Sequence, residues 1–117
     1  MVAALWIMGS ACSAEDLQFV DANGSTGYYV DVDSITYEGE NIVNAGIAVK
    51  KAALNRMFLY TMQFDSAART YQILSSQVVK YDTREVLERG AASETPHPYG
   101  ILSPMSSIVD YIYSLKK

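Results

Sequence analysis

Cysteine and histidine are almost missing from this chain of 117 residues, which contains one of each, Cys12 and His97. A single cysteine excludes an intramolecular disulfide, and a zinc site needs several clustered His and Cys ligands. Nucleophilic catalysis needs a Ser, Cys or Thr beside a base, and no G-x-S-x-G motif accompanies His97. The sequence therefore predicts no metal site, no cofactor and no catalytic residue. A small hydrolase that uses His97 is left as an alternative.

Positive charge is also scarce, because nine Lys and Arg are set against thirteen Asp and Glu, for a formal net charge of −4. Binding to nucleic acid depends on clustered Lys and Arg that contact phosphates, and docking on anionic lipid depends on a similar excess. Neither of the glycine-rich loops that cradle phosphates, G-x-x-x-x-G-K and G-x-G-x-x-G, occurs in the chain. We therefore expect no nucleic-acid partner.

Long hydrophobic runs are absent, and none approaches the roughly 20 residues that a transmembrane helix needs. The first fourteen residues nevertheless carry no charge, because an apolar run at 1–8 is followed by small residues at 9–14. This layout is typical of a secretory signal peptide. We predict a signal peptide at 1–14 and a single domain at 15–117. The protein is then exported to the periplasm, the outer-membrane surface or the extracellular space.

Two other interpretations of the first residues stay open. An apolar run this short can also be a buried β-strand. Cys12, which follows Ser10 and Ala11, can instead be the lipidated first residue of a lipoprotein, although Gly9 stands where a Leu is usual. Cys12 is therefore a candidate lipid anchor, and it is the one route by which we expect the chain to contact a membrane.

Alternation of apolar and polar residues dominates the middle of the chain. The clearest example is 58–64, in which aromatic and methionine residues occupy every second position. Period-two alternation is typical of half-buried strands. We predict a turn at 21–27, and a β-bulge near Ser75 and Ser76, where the alternation slips. The six predicted strands lie at 17–20, 28–37, 43–49, 58–64, 71–81 and 85–88.

One amphipathic helix follows the predicted strands. Ser103 can bond an orphan N–H as the N-cap, and Pro104 suits the first helical turn because it has no N–H. Apolar residues then recur at helical spacing and form one stripe. They are Met105, Ile108, Val109, Ile112 and Leu115. Since only the sheet can bury this stripe, the sequence predicts the α+β class, an antiparallel sheet of about six short strands with one C-terminal helix packed on it.

Four acids lie close enough in sequence to suggest calcium: Asp31, Asp33, Glu38 and Glu40. The calcium-binding loop needs oxygen ligands at fixed offsets and a Gly at its sixth position. Counting from Asp31 puts Thr36 at that position, so the pattern fails. We interpret Asp31 and Asp33 as solvent-facing positions of an alternating strand.

Tyrosine is abundant, with nine residues against one tryptophan. Its large ring and polar tip suit binding surfaces. Tyrosine is also favoured on half-buried strand faces. Both interpretations stay open, and no single tyrosine is assigned a ligand.

Several short motifs occur in a definite order along the chain. A Tyr-Tyr-x-Asp strand is followed by Ser-Ile, then by Tyr-Asp, a Val-Leu return, and an aromatic residue before the helix start. The residues are Tyr28-Tyr29-Val30-Asp31, Ser34-Ile35, Tyr71, Leu74, Tyr81-Asp82, Val86-Leu87, Tyr99 and Ser103-Pro104-Met105-Ser106. Taken together, they resemble the surface-adhesin protein E family over about 17–113.

The chain departs from the pattern of that family in two ways. The family often has a cysteine after an apolar-Asp pair and a second cysteine late in the helix. Here Ser66 follows Phe64 and Asp65, and the predicted helix contains no cysteine. Tyr99 stands where the family commonly has tryptophan.

The resemblance implies a secreted or envelope-anchored, non-enzymatic binding domain, with host extracellular-matrix proteins as partners in some members. No motif marks the ligand-binding residues, so none is carried over. One alternative is a periplasmic structural or inhibitor module that docks on another protein through an exposed sheet edge. Both interpretations predict a protein partner. The hydrolase that uses His97 is the third interpretation.

Overall fold

The predicted α+β fold is confirmed by a computed structural model, which describes residues 16–93 and 95–116. Seven strands form one antiparallel sheet, and one helix follows them. The elements are β1 (Leu17–Asn23), β2 (Thr26–Tyr37), β3 (Ile42–Lys51), β4 (Arg56–Asp65), β5 (Thr70–Lys80), β6 (Val86–Gly90), β7 (His97–Pro98) and α1 (Pro104–Ser114). The predicted signal peptide at 1–14, including Cys12, lies outside the described residues.

The sheet is a meander in which each strand from β1 to β6 pairs with the next. The short strand β7 also pairs with β5, where His97 lies opposite Tyr71. Between β6 and β7, the backbone N–H of Ser93 donates to the carbonyl of Ile73 (2.8 Å), and the Ser93 hydroxyl accepts from the N–H of Ile73 (2.8 Å). The stretch 91–102 is thus attached to β5 at two places.

Backbone conformation decides where two of the connections lie. The predicted turn at 21–27 is shorter than expected, because Gly24 takes the left-handed conformation (φ 64°) that a tight hairpin needs. As a result β1 extends to Asn23 and β2 begins at Thr26. Between β3 and β4, a single 3₁₀ turn at Ala52–Leu54 ends at Asn55, which is also left-handed (φ 52°).

The interpretation of Asp31 as a solvent-facing residue is wrong. Asp31 lies opposite Leu17 of β1 and Gly46 of β3, and it is 2% exposed. Its carboxylate accepts from the backbone N–H of Asp33 (3.2 Å). The alternation assumed one wet sheet face, whereas both faces of this sheet carry buried residues. Asp33 is exposed, as predicted.

The register shifts in four of the strand pairs, and the shifts in β2 and β5 involve residues singled out by the sequence. In β2 the register shifts between Asp31 and Thr36, and Ser34 bridges the bulge. Its hydroxyl donates to the carbonyl of Asp31 (2.7 Å) and accepts from the N–H of Gly46 (2.7 Å). In β5 the extra residue is Leu74, one position before the predicted bulge at Ser75 and Ser76.

The helix buries its apolar stripe on one face of the sheet. Ile108, Val109 and Ile112 are at most 5% exposed. The buried sheet residues of the same cluster are Val30, Val43, Ala45, Ile47, Val49, Met62 and Phe64. The helix within the described part of the chain is not long and apolar enough to cross a membrane.

Both ends of the helix bear on the sequence predictions. At its start, the predicted cap is confirmed, because the Ser103 hydroxyl accepts from the N–H of Ser106 (3.4 Å) and Pro104 occupies the first turn. At its end, the inclusion of Leu115 in the buried stripe is wrong. The helix ends at Ser114, so Leu115 lies past its last turn and is 41% exposed.

The opposite face of the sheet has a smaller core of its own. Ala48, Met57, Leu59 and Val79 are buried there. Leu17, Tyr29 and Tyr81 pack against them. This second cluster accounts for the burial of residues that simple alternation would place in solvent.

Candidate binding site

The helix is too narrow to cover the sheet face on which it packs. An α-helix with its side chains is about 10 Å wide and neighbouring strands are about 4.8 Å apart, so one helix covers roughly two strands. Here α1 packs mainly on β1 and β2. A groove of about 250 Å³ opens beside it, over β4 and β5. We call it the tyrosine groove. It is lined by Tyr28, Val49, Lys51, Phe58, Tyr60, Met62, Tyr71, Ile73 and Met105.

Strand register brings three tyrosines together in the tyrosine groove. Tyr28 lies opposite Val49, and Val49 lies opposite Phe58. Tyr60 follows Phe58 by two positions, so both side chains point to the same face. Tyr71 of β5 packs against the same helix-side core. The three rings come from β2, β4 and β5, and no local segment of the chain contains them all.

The tyrosine groove is apolar but can form hydrogen bonds. Burial raises the pKa of Tyr60 above its ordinary value, and the neighbouring hydroxyls of Tyr71 and Tyr28 raise it further. Tyr60 is therefore neutral at physiological pH, and its hydroxyl can both donate and accept. Lys51 supplies the one cation, with its Nζ 5.6 Å from the centre of the Phe58 ring. None of the described lining residues is acidic.

Exposed apolar residues come just before the helix. Met105, in the first turn of α1, forms one wall of the tyrosine groove. Ile101 and Leu102, a few positions earlier, are 62% and 96% exposed. The helix start therefore adds apolar surface that a partner larger than one side chain could cover.

His97 lies close to the tyrosine groove but outside its lining. It is exposed on β7, and its ring centre is 5.7 Å from that of Tyr71. Within residues 16–93 and 95–116, no group of three or more His, Cys, Asp or Glu could hold a metal ion. The structure thus places His97 beside an aromatic ring, and the hydrolase interpretation gains no support from that contact.

No protein-family model matches the chain, and no curated protein or solved structure is significantly similar to it. The resemblance to the surface-adhesin protein E family therefore stays a prediction. The geometry of the groove bears on the function independently of that resemblance.

Proposed function

We propose that this chain is a non-enzymatic binding domain that holds apolar side chains of a protein partner in the tyrosine groove. The observation that carries the proposal is the convergence of Tyr28, Tyr60 and Tyr71 beside the helix. Tyrosine is enriched at protein interfaces, because its ring buries a large area while its hydroxyl forms a hydrogen bond. The groove, of about 250 Å³, has room for side chains of a protein partner.

The sequence motifs support two further parts of the proposal, where the protein is located and what class of partner it binds. Their order supports an exported envelope domain of the surface-adhesin E type, with a host extracellular-matrix protein in the groove. The lining of the groove, in which Lys51 is the one charged residue, supports binding through apolar contacts.

An NMR titration with indole, an analogue of the tryptophan side chain, tests the groove without knowledge of the partner. We expect ¹H–¹⁵N shifts to cluster at Tyr60, Tyr71 and Ile73, together with the methyl signal of Met105. Shifts that cluster instead at Ile101 and Leu102, or scatter over the surface, would refute the groove as the binding site.

N-terminal sequencing and intact-mass analysis of exported protein test the location. We expect the mature chain to begin at Glu15, or at Cys12 carrying a lipid. A cytoplasmic protein that retains Met1 would contradict export while leaving the groove proposal standing.

The outer edge of β1 favours a second candidate, docking by strand addition. Among the described strands β1 pairs only with β2, and Phe19 on it is 57% exposed. The N–H of Val32 donates to the carbonyl of Asp16 (3.2 Å), so the backbone groups of Asp16 point toward β2. Because this direction alternates along a strand, the N–H and C=O groups of Leu17 and Phe19 point away from β2, toward the open edge.

The two candidates are separated by a pair of variants at one position. Phe19→Pro removes the outward N–H that an added strand would use, whereas Phe19→Ala keeps it. Loss of binding to immobilised fibronectin, laminin or collagen in the Pro variant alone would assign docking to the β1 edge. Equal binding by both variants would exclude that edge.

A further inference from the structure

A second pocket of about 250 Å³ lies on the sheet face opposite the tyrosine groove. It is bordered by the β1–β2 turn, the end of β3 and the residue that follows β5. We call it the Lys50 pocket. The lining residues that matter for its chemistry are Phe19, Ser25, Thr26, Tyr29, Lys50 and Tyr81.

Two cations lie against the aromatic rings of this pocket, Lys50 within its lining and Arg84 outside the lining, beside Tyr81. The Nζ of Lys50 is 4.1 Å from the centre of the Tyr29 ring and 5.8 Å from that of Tyr81. The guanidinium carbon of Arg84 is 5.4 Å from the Tyr81 ring centre. Backbone geometry holds Arg84 there, since its N–H donates to the Lys80 carbonyl (2.9 Å) and its guanidinium donates to the Tyr81 carbonyl.

Neither cation forms an ion pair with a carboxylate of the described residues. The one ion pair in residues 16–93 and 95–116 joins Lys80 and Glu85 (3.7 Å), so neither Lys50 nor Arg84 has a described acid within 4.0 Å. Burial lowers the pKa of Lys50, and the charge of Arg84 lowers it further. In a protein with a net charge of −4, this is a local excess of positive charge.

We propose that the Lys50 pocket binds an oxyanion, namely a carboxylate, sulfate or phosphate, that is carried on a planar ring. Lys50 in the lining supplies a charge-assisted donor, which forms stronger hydrogen bonds than a neutral donor, and Arg84 beside Tyr81 adds positive charge at the edge of the pocket. The hydroxyls of Ser25 and Thr26 are further donors in the pocket. A bound anion would also remove the repulsion between the two cations.

The aromatic rings of the pocket offer a surface on which a planar ring of the ligand can stack. Phe19 and Tyr29 meet edge to face, with ring centres 5.5 Å apart at 72°. Phe19 is 57% exposed, so part of its surface is open to a ligand. A planar ring can stack there while its anionic group reaches Lys50. This site is independent of the tyrosine groove, so either proposal can fail alone.

The test is an NMR titration of the ¹⁵N-labelled chain with sodium benzoate, phenyl sulfate and phenyl phosphate, and with neutral phenol as the matched probe. We expect the three anions to shift the amides of 24–27, Lys50 and Tyr81, and the tightest of them identifies the preferred oxyanion. Phenol should bind at least about tenfold more weakly, because a hydrogen bond to a charged group is stronger than one to a neutral group.

Lys50→Gln and Arg84→Gln should each weaken binding of the anions about tenfold. Lys51→Gln is the matched control, since Lys51 is the next residue of β3 and faces the tyrosine groove. Arg84 lies in an exposed turn, so its variant decides the question if Lys50→Gln does not fold. The proposal is overturned if phenol binds as tightly as benzoate, or if Lys51→Gln weakens binding as much as the other two variants.

Discussion

Replacing Ile112 by Ala removes a side chain that is fully buried between the helix and the sheet. Such a truncation costs about 2–5 kcal/mol, because the lost burial adds to the energy of the cavity left behind. The free energy of unfolding of a whole domain is only about 5–15 kcal/mol. One kcal/mol shifts the melting temperature of a domain near this size by about 4–8 °C. We therefore expect Ile112→Ala to melt at least about 8 °C below the parent.

Thermal unfolding followed by far-UV circular dichroism measures the effect, and urea unfolding gives the free energy directly. Ile108→Ala should behave in the same way, since Ile108 is equally buried. Asp110→Ala is the control on the same helix. Asp110 is exposed, so its removal should change stability by no more than about 0.5 kcal/mol.

A melting curve of Ile112→Ala that coincides with that of the parent would refute the docked helix. The tyrosine groove would then lose Met105 as a wall, because that residue reaches the groove only through the position of α1. The comparison with Asp110→Ala separates loss of packing from a general effect of substitution in the helix.

Three further predictions concern other residues. Ser34→Ala leaves the buried N–H of Gly46 without its partner, so urea unfolding should show a loss of about 1–3 kcal/mol, and an unchanged midpoint would contradict the bridged bulge. Tyr37→Phe removes the hydroxyl that donates to the carbonyl of Ile112 (2.7 Å) and should cost about 0.5–1.5 kcal/mol at neutral pH. Burial and Tyr113 raise the pKa of Tyr37, so the phenolic proton of Tyr37 is held more tightly in the folded state than in the unfolded chain. The contribution of neutral Tyr37 to the free energy of unfolding is complete below about pH 10 and is lost as the pH rises through the raised pKa. The stability gap between the parent and Tyr37→Phe should therefore shrink above pH 10, and a constant gap would refute the assignment. His97→Ala should leave the melting temperature and indole binding unchanged, since His97 is exposed outside the groove; a large loss of function with intact stability would revive the hydrolase interpretation.

The strands and the helix could be predicted from the sequence because their signals are local. Alternation at 58–64 marks β4, and Ser103 with Pro104 marks the start of α1. The error at Asp31 has a definite physical source. Alternation shows which residues share a face, but it does not show whether the other face is also covered, as it is around Met57.

The tyrosine groove could not be predicted in the same way, because it depends on contacts between distant parts of the chain. The sequence shows with which residues of its own strand each of Tyr28, Tyr60 and Tyr71 shares a face. It does not show the register that brings the three strands together. One usable signal was present. A single helix of 11 residues cannot cover six strands, so part of a sheet face had to remain open.

Whether the tyrosine groove binds a protein partner is tested by a matched pair of variants. Tyr28 and Tyr29 are adjacent in β2 and point to opposite faces, toward the groove and the Lys50 pocket respectively. Binding of the parent, Tyr28→Ala and Tyr29→Ala to immobilised fibronectin, laminin and collagen should be measured by surface plasmon resonance. We expect the parent to bind at least one of these proteins, Tyr28→Ala to lose most of that affinity, and Tyr29→Ala to retain it. Equal losses in the two variants would contradict binding through the tyrosine groove, and no binding by the parent would contradict the proposed class of partner.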